Sequence, residues 1–550
     1  MKRHTWIATL RSASVSLAVA LFAITCSSTF AHGQATVDSV DSAASVGSDT
    51  KTNPPTTDEM LKKVDSLVQQ NEQLEKQNHE LINVISAMRR ALAEQSHASE
   101  ADAKETSPGE SGPSPNRISP MTATMVESIN SISSSSVTSG TETASAVAGQ
   151  EERKRWATYT PNFGFKIANT EYGDVNLSIY SYARYLNQRA LAPTYTNAFG
   201  NTISLQQRQD FQLQKVQIKF LGWVMDPKLR YFLYAWTSNA SQGLGAQVVL
   251  AGNLNYTFND HVTLTAGIMS LPGTRSVEGN FPFWLGVDSR LIADEYMRPS
   301  YTSGVRGSGT LRKGLIYQTM IGNNLSTLGV SAAQLPNYFK TNSTALIWMP
   351  TTGEFGQGFG DFEDHQKVAT RLAGHFTYSK ENKQSQPNDD EFENTQLRLS
   401  DGSIIFTPNL FGPGILINDA VYKMASIDWG IKYHGYSLEG EYYKHVLTNF
   451  QGTNTSGLRP NHDYGYQLQA AAMVIPKTLQ IYAGGSEVIG DYGRPWDFRT
   501  GVNYFPFKNR VVRWNNEFLY TYRSPVGYPS VPFALGGTGP IFHTNLELAF

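Results

Sequence analysis

The chain has 550 residues, which is more than one ordinary soluble domain needs and enough for a large barrel with additional segments. Its formal net charge is −2, so the overall charge gives no support for nucleic-acid binding. Aromatic residues make up 11% of the chain and glycines number 46, a composition more typical of strands than of helices.

Residues 1–33 are predicted to form a secretory signal peptide. A basic start precedes an apolar run over residues 15–24, and small residues then suit cleavage after Gly33. The single cysteine, Cys26, lies inside this segment. It could instead carry a lipid, but Thr25 is not the small residue that such motifs place before the cysteine. A mature chain without cysteine needs no disulfide.

A disordered spacer is predicted over residues 34–57, followed by a coiled coil over residues 58–93. Apolar residues there recur at steps of four and three, the spacing of the a and d positions of a heptad. The alternative is a single amphipathic helix packed on the barrel, which the strict spacing and polar flanks disfavour. The pattern leaves dimer and trimer open. The central residues of the predicted seam are Leu67, Asn71, Leu74, Asn78, Leu81 and Ile85.

Residues 94–155 are rich in Ser and Thr and are predicted to form a flexible linker. The remaining segment, residues 156–550, alternates between apolar and polar residues, with breaks at Gly, Asn, Asp and Pro. No apolar run after the signal reaches the ~18 residues that a membrane helix requires.

The alternation of residues 156–550 has two interpretations. For example, Trp429 and Ile431 share one face of a predicted strand, while Asp428 and Lys432 share the other. A soluble sandwich would bury the apolar face. A membrane barrel turns that face to lipid and turns the charged face to an aqueous lumen.

The lengths of the connections favour the barrel. Short turns, at Asp226-Pro227 and His434-Gly435, are expected to alternate with long polar loops over residues 334–366 and 381–394. Aromatic residues also recur at strand ends, where the two membrane interfaces need them. At roughly 25 residues for each strand and its connection, the segment predicts about sixteen strands, an even number as bacterial barrels require.

The predicted fold class is therefore all-β. It is a transmembrane antiparallel β-barrel of about sixteen strands, preceded by an α-helical coiled coil and a disordered linker. A barrel of this size encloses a water-filled channel.

Two parts of the sequence resemble known outer-membrane proteins. The last strand, with Leu546, Leu548 and Phe550 on one face, is similar to the C-terminal segment by which barrel-assembly machinery recognises its clients. Residues 216–231, 264–272, 290–299 and 304–307 resemble the phosphate-selective porin O and P family. The resemblance implies a homotrimer of sixteen-stranded barrels in the outer membrane of a Gram-negative bacterium. Phosphate selectivity is not implied, because residues 269–273 depart from the family's pattern.

A channel needs a constriction whose width and charge select the solute. Inward-facing basic residues would attract small anions, although each could equally be one of many solvated charges on a polar wall. The predicted pore-lining residues are Arg184, Lys215, Lys219, Arg371, His375, Lys432 and Arg513. Residues 275–306 are predicted to fold into the pore, with constriction residues Arg275, Arg290, Arg298 and Arg306. Basic residues only slightly outnumber acidic ones in the barrel, which predicts at most a weak anion preference.

Three other classes remain open. A barrel hydrolase would need a catalytic motif, and the sequence has no Gly-x-Ser-x-Gly or His-Glu-x-x-His. In a structural tether or adhesin the barrel would serve only as an anchor, and a soluble β-protein would need no lipid. The acidic stretch 361–365 is expected to be a solvated outer loop, with no metal bound. The sequence predicts no cofactor.

Overall fold

The computed structural model describes residues 158–160, 163–238, 247–278, 281–327, 330, 334–335, 339–386 and 397–550. The predicted signal peptide, spacer, coiled coil and linker lie outside these residues. No helix within the described residues is long and apolar enough to cross a membrane.

The described residues form an antiparallel β-structure with very little helix. The helical elements are α1 (Ile292–Met297) and a single 3-10 turn (Lys383–Ser385). The strands, in chain order, are β1 (Thr158–Thr160), β2 (Gly164–Thr170), β3 (Gly173–Asn187), β4 (Thr194–Thr196), β5 (Thr202–Ser204), β6 (Gln209–Val224), β7 (Asp226–Ser238), β8 (Gln247–Asn259), β9 (Val262–Ser270), β10 (Tyr301–Arg312), β11 (Leu315–Gly322), β12 (Thr341–Trp348), β13 (Ala369–Asn382), β14 (Leu416–Tyr433), β15 (Tyr436–Thr453), β16 (Asn461–Ile475), β17 (Leu479–Gly490), β18 (Trp496–Tyr504), β19 (Val512–Tyr522) and β20 (Gly539–Ala549).

Sixteen of the strands in the described part of the chain close into a ring. Each strand from β6 to β20 pairs antiparallel with its neighbours in the sequence, and β3 pairs with both β6 and β20. The short strands β4 and β5 form a separate hairpin in the connection between β3 and β6. The predicted barrel of about sixteen strands is therefore confirmed.

Strands β2 and β20 meet where the ring closes. Strand β20 pairs with residues 180–187 of β3, and β2 pairs with residues 173–177, so the two share the same edge of β3. The Phe550 amide donates to the Ile179 carbonyl (2.9 Å), and the Phe550 carbonyl accepts from the Ile179 amide (2.7 Å). The Phe550 ring lies 5.3 Å from the ring of Phe165 on β2. Backbone hydrogen bonding thus continues across the closure.

Side chains on the ring follow the inverted pattern of a membrane barrel. On β14, Ile427 and Trp429 are 57% and 40% exposed on the outer face, whereas Asp428 and Lys432 are buried on the inner face. Strands β16 and β19 show the same alternation. A wide exposed apolar band surrounding buried charges suits hydrocarbon outside and a polar interior.

Outward-facing aromatic residues lie at both ends of the strands. Near the β14–β15 turn, Tyr433 pairs across the sheet with Tyr436, and both rings are exposed. At the opposite end, Trp496 on β18 stacks on Tyr520 and Tyr522 of β19, with ring centroids 5.4 and 6.0 Å apart. Two such levels match the aromatic girdles that mark the interfaces of a bilayer.

Most connections at one end of the ring, here called the short-turn end, are tight. The β6–β7 turn is made by Met225 in a left-handed conformation (φ 63°), one residue before the predicted Asp226-Pro227, which already belongs to β7. His434 and Gly435 also have positive φ and make the predicted β14–β15 turn. The other end of the ring carries the longer connections.

The structure changes the bounds of the two predicted long loops. Strand β12 lies inside the stretch 334–366, so that stretch is not one loop. Its residues Thr341–Thr344 are polar on both faces, which conceals the alternation. The connection over residues 349–368, which joins β12 to β13, lies at the short-turn end despite its length. The stretch 381–394 begins with two residues of β13.

Candidate functional site

The connection between β9 and β10 folds into the ring. This inserted segment covers residues 271–300, and almost all its described side chains are buried. Its helix α1 packs against the inner faces of β15–β18. The Ala293 amide donates to Ser486 Oγ (3.0 Å), and the Tyr296 hydroxyl donates to Asp463 Oδ2 (2.6 Å). The segment is therefore fixed to one side of the lumen.

Cations of the barrel wall hold the tip of the inserted segment by its backbone carbonyls. Arg184 Nη2 donates to the Val287 carbonyl (2.9 Å), and Arg513 Nη1 donates to the Trp284 carbonyl (2.7 Å). Arg499 Nη1 donates to the Ser289 carbonyl in the same way (3.2 Å), and this arginine was not predicted as a site residue. A buried guanidinium can satisfy several carbonyls at once because its donors form a fixed fork.

A second group of wall residues holds the base of the segment. His375 Nδ1 lies 3.0 Å from the Pro272 carbonyl, and His375 Nε2 lies 2.8 Å from Asp428 Oδ2. Arg371 bridges Asp428 and Glu278 of the segment, with contacts of 2.6 Å to each. The predicted residues Arg371 and His375 thus lie together, and alternation on β13 and β14 is the signal that identified their face.

Arg275 links the inserted segment to β15 and to the 349–368 connection. Its Nε donates to Glu439 Oε2 (3.2 Å), its Nη2 donates to the Gly358 carbonyl (2.8 Å), and its amide donates to Glu441 Oε1 (3.1 Å). Lys432 Nζ donates to the same Gly358 carbonyl (2.9 Å). Lys432 of β14 and Arg275 of the inserted segment therefore meet at the Gly358 carbonyl of the 349–368 connection.

The other arginines of the predicted constriction are paired with acids inside the segment or lie elsewhere. Arg290 and Arg298 both contact Glu295, Arg290 at 3.0 Å. Burial alone would raise the pKa of Glu295, but the guanidinium groups of Arg298 and Arg290 lower it to about 2. The placement of Arg306 in the constriction loop is corrected. The inserted segment ends at Ser300, and Arg306 is a buried residue of β10.

The two remaining pore-lining candidates both lie on β6. Lys215 is buried and forms an ion pair with Asp288 of the segment (2.6 Å). Lys219 is half-buried on the same inward row, closer to the short-turn end. Gln214 also points inward, because a bulge opposite Tyr182 and Ala183 shifts the alternation by one residue.

The 349–368 connection, here called the turn-side loop, enters the ring from the short-turn end. The Phe359 amide donates to the Phe283 carbonyl of the inserted segment (2.9 Å). Asp361 is fully buried and accepts from the Gly435 amide (2.8 Å) and from His365. The expectation of a solvated outer loop is therefore wrong for Asp361, although Glu363 is exposed. Loop length alone does not reveal that a loop folds inward.

His375, Asp428 and Glu441 could together hold a metal ion, since one ligand atom of each lies within 4.8 Å of the others. The Asp428 carboxylate already accepts from Arg371 and His375, and Glu441 accepts from Ser426 and from the Arg275 amide. These hydrogen bonds satisfy the carboxylates within the protein, so the group functions as a structural network of charges.

An open space remains on the side of the lumen away from these anchors. A cavity of about 90 Å³ lies between the inserted segment and the inner faces of β6–β9. Its wall residues include Gln217, Phe232, Tyr234, Trp236 and Asn253. A second cavity, of about 20 Å³, lies between the segment and the turn-side loop.

Comparison with solved structures finds outer-membrane barrels, and no family model and no curated protein matches the chain. One is the outer membrane channel DcaP of Acinetobacter baumannii, with 9% identity, 70% of this chain and 99% of that chain covered, and a TM-score of 0.44. An anion-selective porin from Comamonas acidovorans has 9% identity, coverage of 69% and 100%, and a TM-score of 0.42. Outer-membrane expressed OmpT of Vibrio cholerae has 9% identity, coverage of 70% and 99%, and a TM-score of 0.42. The chain's own strand pairing, rather than these similarities, defines its fold.

We predict that Arg184 is needed to keep the tip of the inserted segment buried. The variant R184L loses hydrogen bonds to Asn545, Ser530 and Val287 and leaves no carboxylate without a partner. In a C26S/V287C background, R184L should increase the rate of methanethiosulfonate labelling at position 287 by at least about tenfold.

Arg494, which pairs with Glu487 at the surface, gives the matched control R494L. Its labelling rate should equal that of the background. Equal rates for R184L and R494L would mean that Arg184 does not hold the segment.

We predict that the turn-side loop is anchored in a pH-dependent way. Burial alone would lower the pKa of His365, but its contacts with Asp361 and Glu354 raise it to about 9. Because the folded-state pKa lies above the ordinary value of about 6.5, the stabilisation is complete below pH 6.5 and is lost as pH rises through 9.

Hydrogen exchange of peptides covering residues 354–366, corrected for intrinsic rates, should therefore show strong protection at pH 7 and weak protection at pH 10. The variant H365N should remove this difference. Protection that is the same at both pH values, or a difference that persists in H365N, would contradict the assignment.

Proposed function

We propose that this chain is an outer-membrane channel through which small hydrophilic solutes diffuse passively. The observation that carries the proposal is the closed ring of sixteen strands with apolar side chains outside and charges inside. A ring of this size is too wide for wall side chains alone to fill, so it encloses polar space. Transport by diffusion needs a passage and a constriction, and it needs no catalytic group.

The expected topology follows from the connections. In outer-membrane barrels short turns face the periplasm and longer loops face the outside. The short-turn end is therefore proposed to be periplasmic, and the inserted segment to enter from the outer side. Residues 1–33 would direct export, and the face formed by Leu546, Leu548 and Phe550 would be recognised by barrel-assembly machinery.

The inserted segment is proposed to be the constriction. It occupies the side of the lumen lined by β13–β20, which leaves the β6–β9 side as the route for solute. Many wall cations are paired with acids, as in Arg371–Asp428, Arg513–Glu547 and Lys215–Asp288. Such pairing weakens the field that an anion would feel, which supports a weak anion preference rather than a strong one.

The assembly is proposed to be a homotrimer, with the predicted coiled coil over residues 58–93 holding three chains together. The resemblance to the phosphate-selective porin O and P family supports this arrangement. Phosphate specificity is not part of the proposal, because Arg184, Arg499 and Arg513 of the wall are used to hold the inserted segment.

A structural tether is the second candidate, and the dense filling of the lumen is the observation that favours it. Buried residues inside the ring come from the inserted segment, from the turn-side loop and from the connection between β19 and β20. In that case the barrel would be an anchor for the N-terminal region and would conduct little.

We predict that the purified full-length protein conducts ions in planar lipid bilayers. In a gradient of KCl, the reversal potential should show chloride favoured over potassium by a small factor, on the order of two. Cation selectivity would contradict the proposed anion preference. Current no greater than that of protein-free bilayers would contradict the channel and support the tether.

A further inference from the structure

The larger cavity lies on the side of the lumen opposite most anchors of the inserted segment. Its carbonyls accept hydrogen bonds from β3, β13, β18 and β19, and α1 packs on β15–β18. The facing wall, β7 and β8, presents the uncharged residues Phe232, Tyr234, Trp236 and Asn253. The cavity therefore lies along the route that the proposed channel would use.

Aromatic rings surround this space on two sides. Phe232, Tyr234 and Trp236 line it from the barrel wall, and Phe281 and Trp284 line it from the inserted segment. Aromatic faces offer an apolar surface on which a flat or ring-shaped solute can stack. Polar groups set between them then determine which solute is bound.

The charged groups that line the cavity already have partners. Lys215 contacts Asp288 (2.6 Å), and Arg290 and Arg298 contact Glu295. Lys215 Nζ also lies over the Trp236 ring, 5.0 Å from its centroid. Each of these cations contacts a carboxylate, with Arg290 and Arg298 sharing Glu295, so their attraction for a free anion is weakened.

Two buried polar atoms in the lining lack a hydrogen-bond partner among the described residues. They are Oε1 of Gln217, a residue 8% exposed, and Oγ of Ser300, a residue 1% exposed. Leaving such an atom without a partner is costly, so the cavity should hold something that bonds to it. An amide oxygen accepts only, and its partner must supply an O–H or N–H group.

The need for a hydrogen-bond donor at Gln217 Oε1 disfavours ionised carboxylates and favours neutral polyhydroxylated molecules. A carboxylate, ionised at neutral pH, has no proton to donate to Gln217 Oε1. A neutral polyhydroxylated molecule donates and accepts at each hydroxyl and presents C–H faces to aromatic rings. A cavity of about 90 Å³ also exceeds the ~10–15 Å³ that one water needs, so it has room for a small solute or several waters.

We propose that this cavity is a binding subsite for a neutral polyhydroxylated solute, such as a monosaccharide, between the inserted segment and β6–β9. The inference rests on the proposed channel for its role in transport, whereas binding itself does not require conduction. Gln217 and Ser300 would be specificity-determining residues, and the aromatic side chains would form the stacking surface.

Glucose titration tests the proposal in two ways. In isothermal calorimetry on the detergent-solubilised full-length protein, glucose should bind saturably. In planar bilayers, glucose should reduce the ionic current saturably, after correction with betaine, which lacks hydrogen-bond donors. The variant Q217L should raise the half-saturating concentration about tenfold and S300A about threefold, the size expected for one lost hydrogen bond.

Gln318 provides a matched control. It is also an inward-facing glutamine, 8% exposed, with an unpartnered Oε1, but it lies on β11 and outside the cavity lining. The variant Q318L should bind glucose like the parent protein. Both variants should give the same yield of folded protein, measured by heat-modifiable migration on gels.

The outcomes separate the subsite from the channel. Binding that is weakened by Q217L and unchanged by Q318L supports the subsite even if no current is seen, and only the channel would then fail. Current without saturable glucose binding would overturn the subsite and leave the channel standing. Equal effects of Q217L and Q318L, or saturable binding of acetate or phosphate in place of glucose, would also overturn it.

Discussion

Closure of the ring between β20 and β3 is the constraint on which the rest of the structure depends. In hydrocarbon every backbone N–H and C=O must find a partner within the protein, so an open sheet edge is not tolerated. The pairing of Phe542–Ala549 with Tyr180–Asn187 removes both edges, and β2 extends the same line with residues 164–170. Phe550 lies where these two segments meet, and its backbone hydrogen bonds with Ile179 contribute to the closure.

Closure also creates an interior that the wall cannot fill. The inserted segment enters this interior from one end of the ring, and the turn-side loop enters it from the other. The two meet where the Phe359 amide donates to the Phe283 carbonyl. Backbone carbonyls brought into such an interior need donors, and the wall supplies them from Arg184, Arg499 and Arg513. Much of the positive charge of the wall thus has a structural use. The passage for solute is displaced to the β6–β9 side, where uncharged polar and aromatic residues face the cavity.

The sequence was sufficient to predict the ring because alternation has a period of two and is visible on strands such as β14 and β19. It also placed Arg371, His375 and Lys432 on the inner face. It could not predict their partners, since a hydrogen bond to a carbonyl such as Gly358 leaves no mark in the residue pattern. Strand β12 was missed because Thr341–Thr344 are polar on both faces, and the turn-side loop was misplaced because its length suggested an outer loop. Arg499 could have been found, because Phe498 and Thr500 flank it in the same alternation. The predicted coiled coil lies outside the described residues, so it stays a prediction.

The claim that the apolar face meets lipid can be tested by the fluorescence of single-tryptophan variants in vesicles of brominated phospholipid. Trp429 lies on the outer face of β14 at 40% exposure, and Trp284 lies in the inserted segment at 5% exposure. With the other tryptophans replaced by Phe, bromine on the acyl chains should quench Trp429 strongly and Trp284 weakly. Strong quenching of Trp284 with none of Trp429, or a protein that stays monodisperse in buffer without detergent, would contradict the account.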